Sequence, residues 1–223
     1  MIPPACNAEF VCQMEEVLDV YQRPYDERYP QVCLDEASKQ LVQHVRDPLP
    51  AKPGQPAIVD YEYERNGTAN LFMLSEPLTG RREVRVTARR TAVDYAHANR
   101  YLIDEMYPHA EKIVLVQDNL NTHHKSSLYA AFSPQEARRL LDKLEIHDTP
   151  KHGSWLNMAE IEWSVLGRQC LDQRIPDQAT LTTEVAAWTR ARNACRKKIH
   201  WHLTTADARV KLKRLYPVLE PLK

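Results

Sequence analysis

From residue 9 to 21 the apolar side chains fall at Phe10, Met14, Val17, Leu18 and Tyr21. This is the three-to-four-residue spacing of one helical face, with Asn7 placed to cap it. The period then changes. Residues 31–36 read as a short apolar strand that stops at two acids, Asp35 and Glu36. Residues 47–56 carry prolines at 48, 50, 53 and 56 and predict a stiff connector that suits neither a helix nor a central strand. Runs at 58–64, 69–75 and 83–87 predict an antiparallel meander whose first turn is Asn66-Gly67. A helix is expected over 92–106. Residues 112–117, apolar without alternation, predict a buried parallel strand that stops at Asp118. Ser133-Pro134-Gln135-Glu136 opens a helix to about Leu144, and 145–148 form a last strand. The chain then turns helical over 156–166, 181–196 and a short stretch after Thr204 that ends before Pro217.

Antiparallel strands, a helix, then strands alternating with helices define an α/β fold with a mixed five-stranded sheet and helices on both faces. That order is the one found in ribonuclease-H-like domains. It divides the chain into a lead-in with one helix (1–30), a core (31–170) and a C-terminal helical, basic extension of the same domain (171–223).

Composition narrows the function. The chain has 223 residues, 43% of them hydrophobic, and its five glycines make neither G-x-G-x-x-G nor a P-loop. The start lacks the basic and apolar regions of a signal peptide, and no apolar run reaches membrane-spanning length, so a cytoplasmic protein is expected. Five cysteines (Cys6, Cys12, Cys33, Cys170, Cys195) without a C-x-x-C pair predict free thiols. Cys195 with His200 and His202 is a weak metal pattern and is set aside.

In an open sheet, ligands bind beyond the carboxyl ends of parallel strands, where Asp35 and Asp118 are expected. Two such acids repel unless a cation lies between them, and Mg²⁺ suits carboxylate and phosphate oxygens. A third acid on a nearby helix would complete a site for two ions about 3.5–4 Å apart, the clamp used in phosphodiester cleavage. On a helical wheel Glu160 lies beside Asn157, Ser164 and Gly167, and Glu162 among Met158, Ala159, Val165 and Leu166. The wheel leaves both open. An acid after a strand also commonly caps a helix, and Asp118 before Asn119 fits that role as well.

Three blocks carry a resemblance: Cys33-Leu34-Asp35-Glu36; Val114-Leu115-Val116-Gln117-Asp118-Asn119-Leu120-Asn121-Thr122-His123; and Gly153-Ser154-Trp155-Leu156-Asn157-Met158-Ala159-Glu160-Ile161-Glu162-Trp163. With the closing stretch from Trp201 to Pro217, they resemble the mariner-like bacterial insertion-sequence transposases (the IS-six-thirty family) of the DDE superfamily. The resemblance implies a ribonuclease-H-like catalytic core with Asp35, Asp118 and Glu160 as catalytic metal ligands, and it selects Glu160 over Glu162. Between Asp118 and Glu160 lie 41 residues, and Met158 stands where mariner elements usually have proline. The implied cofactor is Mg²⁺, two ions, with Mn²⁺ as substitute. The implied activity is cleavage at element ends and strand transfer into target DNA, with insertion at TA dinucleotides, by a homodimer. Glu36, Asn119, His123, Trp155 and Asn157 lie within the blocks as candidates to hold the ligands or contact DNA. Full-length relatives carry helix-turn-helix modules ahead of the core. The chain is therefore expected to be the catalytic half, with end-specific DNA binding left to a separate or missing part. A catalytically inactive remnant that binds DNA or protein, and a plain ribonuclease-H-like nuclease, are the alternatives.

The formal net charge is zero, from 30 basic and 30 acidic side chains. It is a sum of opposites. Residues 1–167 hold 18 basic and 25 acidic side chains, and residues 168–223 hold 12 and 5. Arg190, Arg192, Arg196, Lys197, Lys198, Arg209, Lys211, Lys213 and Arg214 in this basic tail are the candidates for contact with a DNA backbone. A DNA-acting protein of this kind would associate with the bacterial nucleoid.

Overall fold

The computed structural model describes residues 7–217; Cys6 lies outside them. Helix α1 (Ala8–Gln22) forms where the periodicity places it, and Asn7 Oδ1 accepts from the Phe10 amide at 3.0 Å. Phe10, Met14, Val17 and Leu18 are buried beneath it. Each such side chain removed from water contributes about 1.5–3 kcal/mol.

Strand β1 (Gln31–His44) is much longer than the sequence predicts. It does not stop at Asp35 and Glu36 but runs on through Ser38, Lys39, Gln40 and Gln43, whose polar character masked the strand. Strand β2 (Tyr63–Glu76) pairs antiparallel with it over almost its whole length. The expected turn at Asn66-Gly67 is absent: of the run read at 58–64 only Tyr63 and Glu64 are strand, and they continue into the run at 69–75 as one strand. Cα pairing passes from Gln40↔Thr68 to Val42↔Arg65, which leaves Asn66 and Gly67 opposite Leu41. That is a β-bulge, and Gly67 supplies its positive φ of 89°. An Asn-Gly pair satisfies a bulge as readily as a hairpin, because both need φ > 0. The real β1–β2 connection is the segment 45–62, pinched by isolated bridges at Leu49↔Ile58 and Lys52↔Gln55.

Strand β3 (Arg81–Thr87) completes the meander, and β4 (Ile113–Gln117) and β5 (Leu144–Asp148) add parallel strands on the other side of β1. The order is β3-β2-β1-β4-β5. Two hydrophobic clusters sandwich this sheet, and successive strand residues alternate between them. Cys33, Leu71, Met73, Val114 and Val116 face α1, α5 (Ala159–Leu166), α6 (Gln178–Ala194) and α7 (Thr205–Lys211). Val32, Leu34, Phe72, Leu74, Ile113 and Leu115 face α2 (Ala92–Tyr101), α3 (Ser126–Ala131) and α4 (Pro134–Asp142). The helix expected over 92–106 is α2 followed by a π-helical turn at Leu102–Met106, and α3 has no counterpart in the sequence prediction.

The β2–β3 turn is fitted to the C-terminal segment. Gly80 has φ +72°, and a Cβ there would stand 2.8 Å from the backbone of Arg196 and Lys197. The Ile199 amide donates to the Pro77 carbonyl at 2.9 Å beside it. Gly80→Ala is expected to cost about 1–3 kcal/mol from overpacking and backbone strain. Urea unfolding measures it, and a loss below a few tenths would contradict the close fit.

Candidate active site

Register explains how two distant acids become neighbours. β1 and β4 pair in parallel up to Cys33↔Val116. Two residues further along each strand stand Asp35 and Asp118, on the face that Cys33 and Val116 share. β4 ends there, whereas β1 continues as a partner of β2 alone. Asp35 thus sits where the two central strands part and not at a strand end.

The third block is anchored onto this point. Asn157 donates from Nδ2 to the Leu34 carbonyl at 2.8 Å, and its Oδ1 accepts from the Ala159 amide at 3.1 Å. One buried side chain thus starts α5 and ties it to β1 beside Asp35. The Tyr21 hydroxyl donates to the Leu156 carbonyl at 2.6 Å from the α1 side. Glu160, on the first turn of α5, is exposed, and Glu162 is fully buried.

The acids sense one another. Burial pushes the Asp35 carboxyl up to about 7; the Glu36 amide, 2.8 Å away, opposes this, and the charges of Glu160 and Asp118 add to it. Glu160 is raised by partial burial and then by Asp118. Among the described residues no group of three His, Cys, Asp or Glu side chains closes into a metal cage. The three acids share an electrostatic neighbourhood without converging on a point. Their chemistry still fits a divalent cation, because three carboxylates supply hard oxygen donors.

An acid whose folded-state pKa is raised costs stability in its ionised form. Nothing is lost below the usual carboxylate range, about 4, and the whole cost is present above about 7. In EDTA the melting temperature of the protein is therefore expected to fall as pH rises through this window. Asp35→Asn should flatten the slope; an unchanged slope in that variant would show that Asp35 is not its source.

His123 lies behind Asp118. Its Nδ1 is 2.6 Å from Asp118 Oδ1 and 3.1 Å from the Asp118 carbonyl oxygen, and its Nε2 is 3.4 Å from Glu36. The ring stacks on Tyr95 at 4.6 Å between centroids. Burial disfavours its charge, but Asp118 and Glu36 outweigh this and lift its pKa to about 9. Gln117 fixes the loop that delivers it: it accepts from the Tyr95 hydroxyl at 2.7 Å and donates to the His123 carbonyl and to Asp148, each at 2.9 Å. Tyr95 and Gln117 were missed in the sequence. The signal was a glutamine closing an otherwise apolar strand.

The Glu36 side chain is 3% exposed and lies 3.6 Å from Arg90, so it is not a solvated acid. Asn119 is exposed. Trp155 packs on Trp201, with centroids 6.3 Å apart. Glu162 is held by Arg82 at 3.2 Å and by both nitrogens of the Arg192 fork at 3.0 and 3.2 Å, so its oxygens are committed elsewhere. The Arg192 guanidinium is thus turned toward Glu162 and only 18% exposed. Arg209 is exposed and pairs with Glu15 at 2.8 Å. Arg190, Arg196, Lys197, Lys198, Lys211, Lys213 and Arg214 are exposed. Cys12 and Cys195 are exposed free thiols, and Cys33 and Cys170 buried ones. Among the described residues no helix is long and apolar enough to cross a membrane.

A mixed sheet in the order β3-β2-β1-β4-β5, with carboxylates where β1 and β4 part, is that of a ribonuclease-H-like α/β domain. The family model described as DDE superfamily endonuclease matches residues 30–182, and the chain belongs to that family. No curated protein matches it. Among solved structures it is similar to the Mos1 mariner paired end complex with Mn, at 17% identity and a TM-score of 0.55, over 86% of this chain and 58% of that one. It is similar to the Mos1 strand transfer complex at 17% and 0.55, over 82% and 53%. The catalytic domain of Mos1 mariner transposase matches at 14% and 0.54, over 86% of both chains. The likeness establishes the fold, and the chain spans little more than half the length of the first two.

Proposed function

We propose that this chain is the catalytic domain of a transposase of the mariner-like insertion-sequence kind, of bacterial origin, that cleaves DNA at element ends and joins the freed ends to target DNA. The observation that carries the reading is that Asp35, Asp118 and Glu160, from three separated motifs, share one electrostatic neighbourhood beside the parting of β1 and β4, where Glu160 and Asp118 raise the Asp35 pKa and Asp118 raises that of Glu160. Asp35, Asp118 and Glu160 would hold two Mg²⁺ or Mn²⁺ ions. Bound there, the ions would supply the Lewis acidity that in-line phosphodiester displacement needs.

The remaining roles belong to the chain. Asn157 sets the start of α5 against β1, so that Glu160 is presented on the Asp35 side. His123 and the Gln117 network hold Asp118 from behind, and Glu36 takes the other imidazole nitrogen. The exposed bases from Arg190 to Arg214 offer a phosphate-binding surface, with Arg192 turned inward to Glu162 and Arg209 paired with Glu15. Dimerisation, a helix-turn-helix part that grips the ends, and TA target choice belong to the same proposal.

Incubation with supercoiled DNA and Mg²⁺ or Mn²⁺ tests it. Wild type should nick; Asp118→Asn should not. Equal nicking by both, or none by a folded wild type, would sink the proposal in favour of the inactive remnant. A labelled end oligonucleotide joined to target separates a transposase from a plain nuclease.

A further inference from the structure

Glu160 and Glu162 are two residues apart on α5, which turns their side chains about 200° from each other. Glu160 is exposed and coupled by charge to Asp35 and Asp118, and Glu162 is buried on the other side of the helix. Glu162 is 0% exposed and Arg82 1%, a cost that only good pairing offsets. Arg192 grips Glu162 with two nitrogens, and Arg82 Nε lies 3.2 Å from it. The same Arg82 guanidinium donates to the Arg192 carbonyl at 3.1 Å and the Lys197 carbonyl at 2.8 Å. Its backbone is fastened to Asn193 in both directions, at 3.0 and 2.8 Å. α5 has only eight residues, and its N-cap residue Met158 makes no side-chain cap. Its roll about its own axis is thus fixed at two points, Asn157 in front and the Glu162 ion cluster behind.

We propose that Arg82 and Arg192 are positioning residues for the third acid: by gripping Glu162 from β3 and α6 they set the rotation of α5 and hence where the Glu160 carboxylate stands relative to Asp118. The proposal rests on the reading of Asp35, Asp118 and Glu160 as a cation site. Neither arginine touches the reacting atoms. Their effect passes through a helix, in the way that groups behind a metal ligand orient it.

Arg192 is 18% exposed, so Arg192→Met is expected to fold. Arg192→Lys keeps the charge without the fork and serves the same comparison if the methionine variant unfolds. Mn²⁺ binding is measured on the full chain by electron paramagnetic resonance, below each variant's melting temperature, beside Mn²⁺-dependent nicking and DNA affinity. The expected result is Mn²⁺ affinity lower by about tenfold or more in Arg192→Met. The Mn²⁺ concentration for half-maximal nicking should rise in parallel, DNA affinity should hold, and Arg192→Lys should recover part of the loss. Unchanged Mn²⁺ affinity in a folded variant overturns the inference and leaves a purely structural ion cluster. Weaker DNA binding with unchanged Mn²⁺ dependence overturns it in favour of direct DNA contact. Wild type and Glu160→Gln binding Mn²⁺ equally would instead overturn the cation-site reading on which the inference rests.

Discussion

Glu160→Gln is expected to abolish cation-dependent nicking, by about 10³-fold or more, while the protein melts within about 2 °C of wild type or above it. The two halves of the result come from one arrangement. Glu160 is exposed, carries no ion pair among the described residues, and is repelled by Asp118, so its charge contributes nothing to folding. What it can contribute is an oxygen ligand on the same side as Asp35 and Asp118. Nicking of supercoiled DNA and differential scanning calorimetry on one preparation check both halves. An active Glu160→Gln would remove it from the site, and an inactive variant that melts far below wild type would show that the loss is one of folding.

The neighbouring substitution should do the opposite. Glu162→Gln leaves the buried Arg82 guanidinium and the partly buried Arg192 fork without a counter-charge, a change that costs about 3–5 kcal/mol. For a chain of this size that is a fall of about 6–20 °C in melting temperature. Two acids separated by one residue are thereby sorted by calorimetry alone. A Glu162→Gln protein as stable as wild type would mean that the ion cluster is not formed.

The sequence made the parallel half of the sheet plain. Residues 112–117 and 145–148 are short, bounded and closed by acids, and both became strands. The meander was harder because β1 and β2 extend beyond the helical layers. There Ser38, Lys39 and Gln43 on one strand and Glu64 and Arg65 on the other meet solvent and lose the apolar signature of a strand. Asn66-Gly67 then supplied a false turn. In the site, Asp35 and Asp118 stood out from motif and topology, but the choice between Glu160 and Glu162 came from resemblance alone. Nothing local could decide it, since the deciding partners are Arg82 and Arg192, remote in the chain. The same remoteness disguised Arg192, only 18% exposed, as a surface base. A carboxylate on the apolar face of a wheel was the clue that a buried cation had to exist somewhere.

The 41 residues between Asp118 and Glu160 contain α3, α4 and β5. α3 and α4 pack into the cluster on the opposite face of the sheet from α5. That interval is therefore a detour, and its length records what covers the far face. Lineages could lengthen or shorten it without moving either carboxylate, so residue spacing is a loose key for finding kindred sites. The offset between β1 and β4 is the tight one, because slipping that pair by a single residue would turn one of the two aspartates to the other side of the sheet.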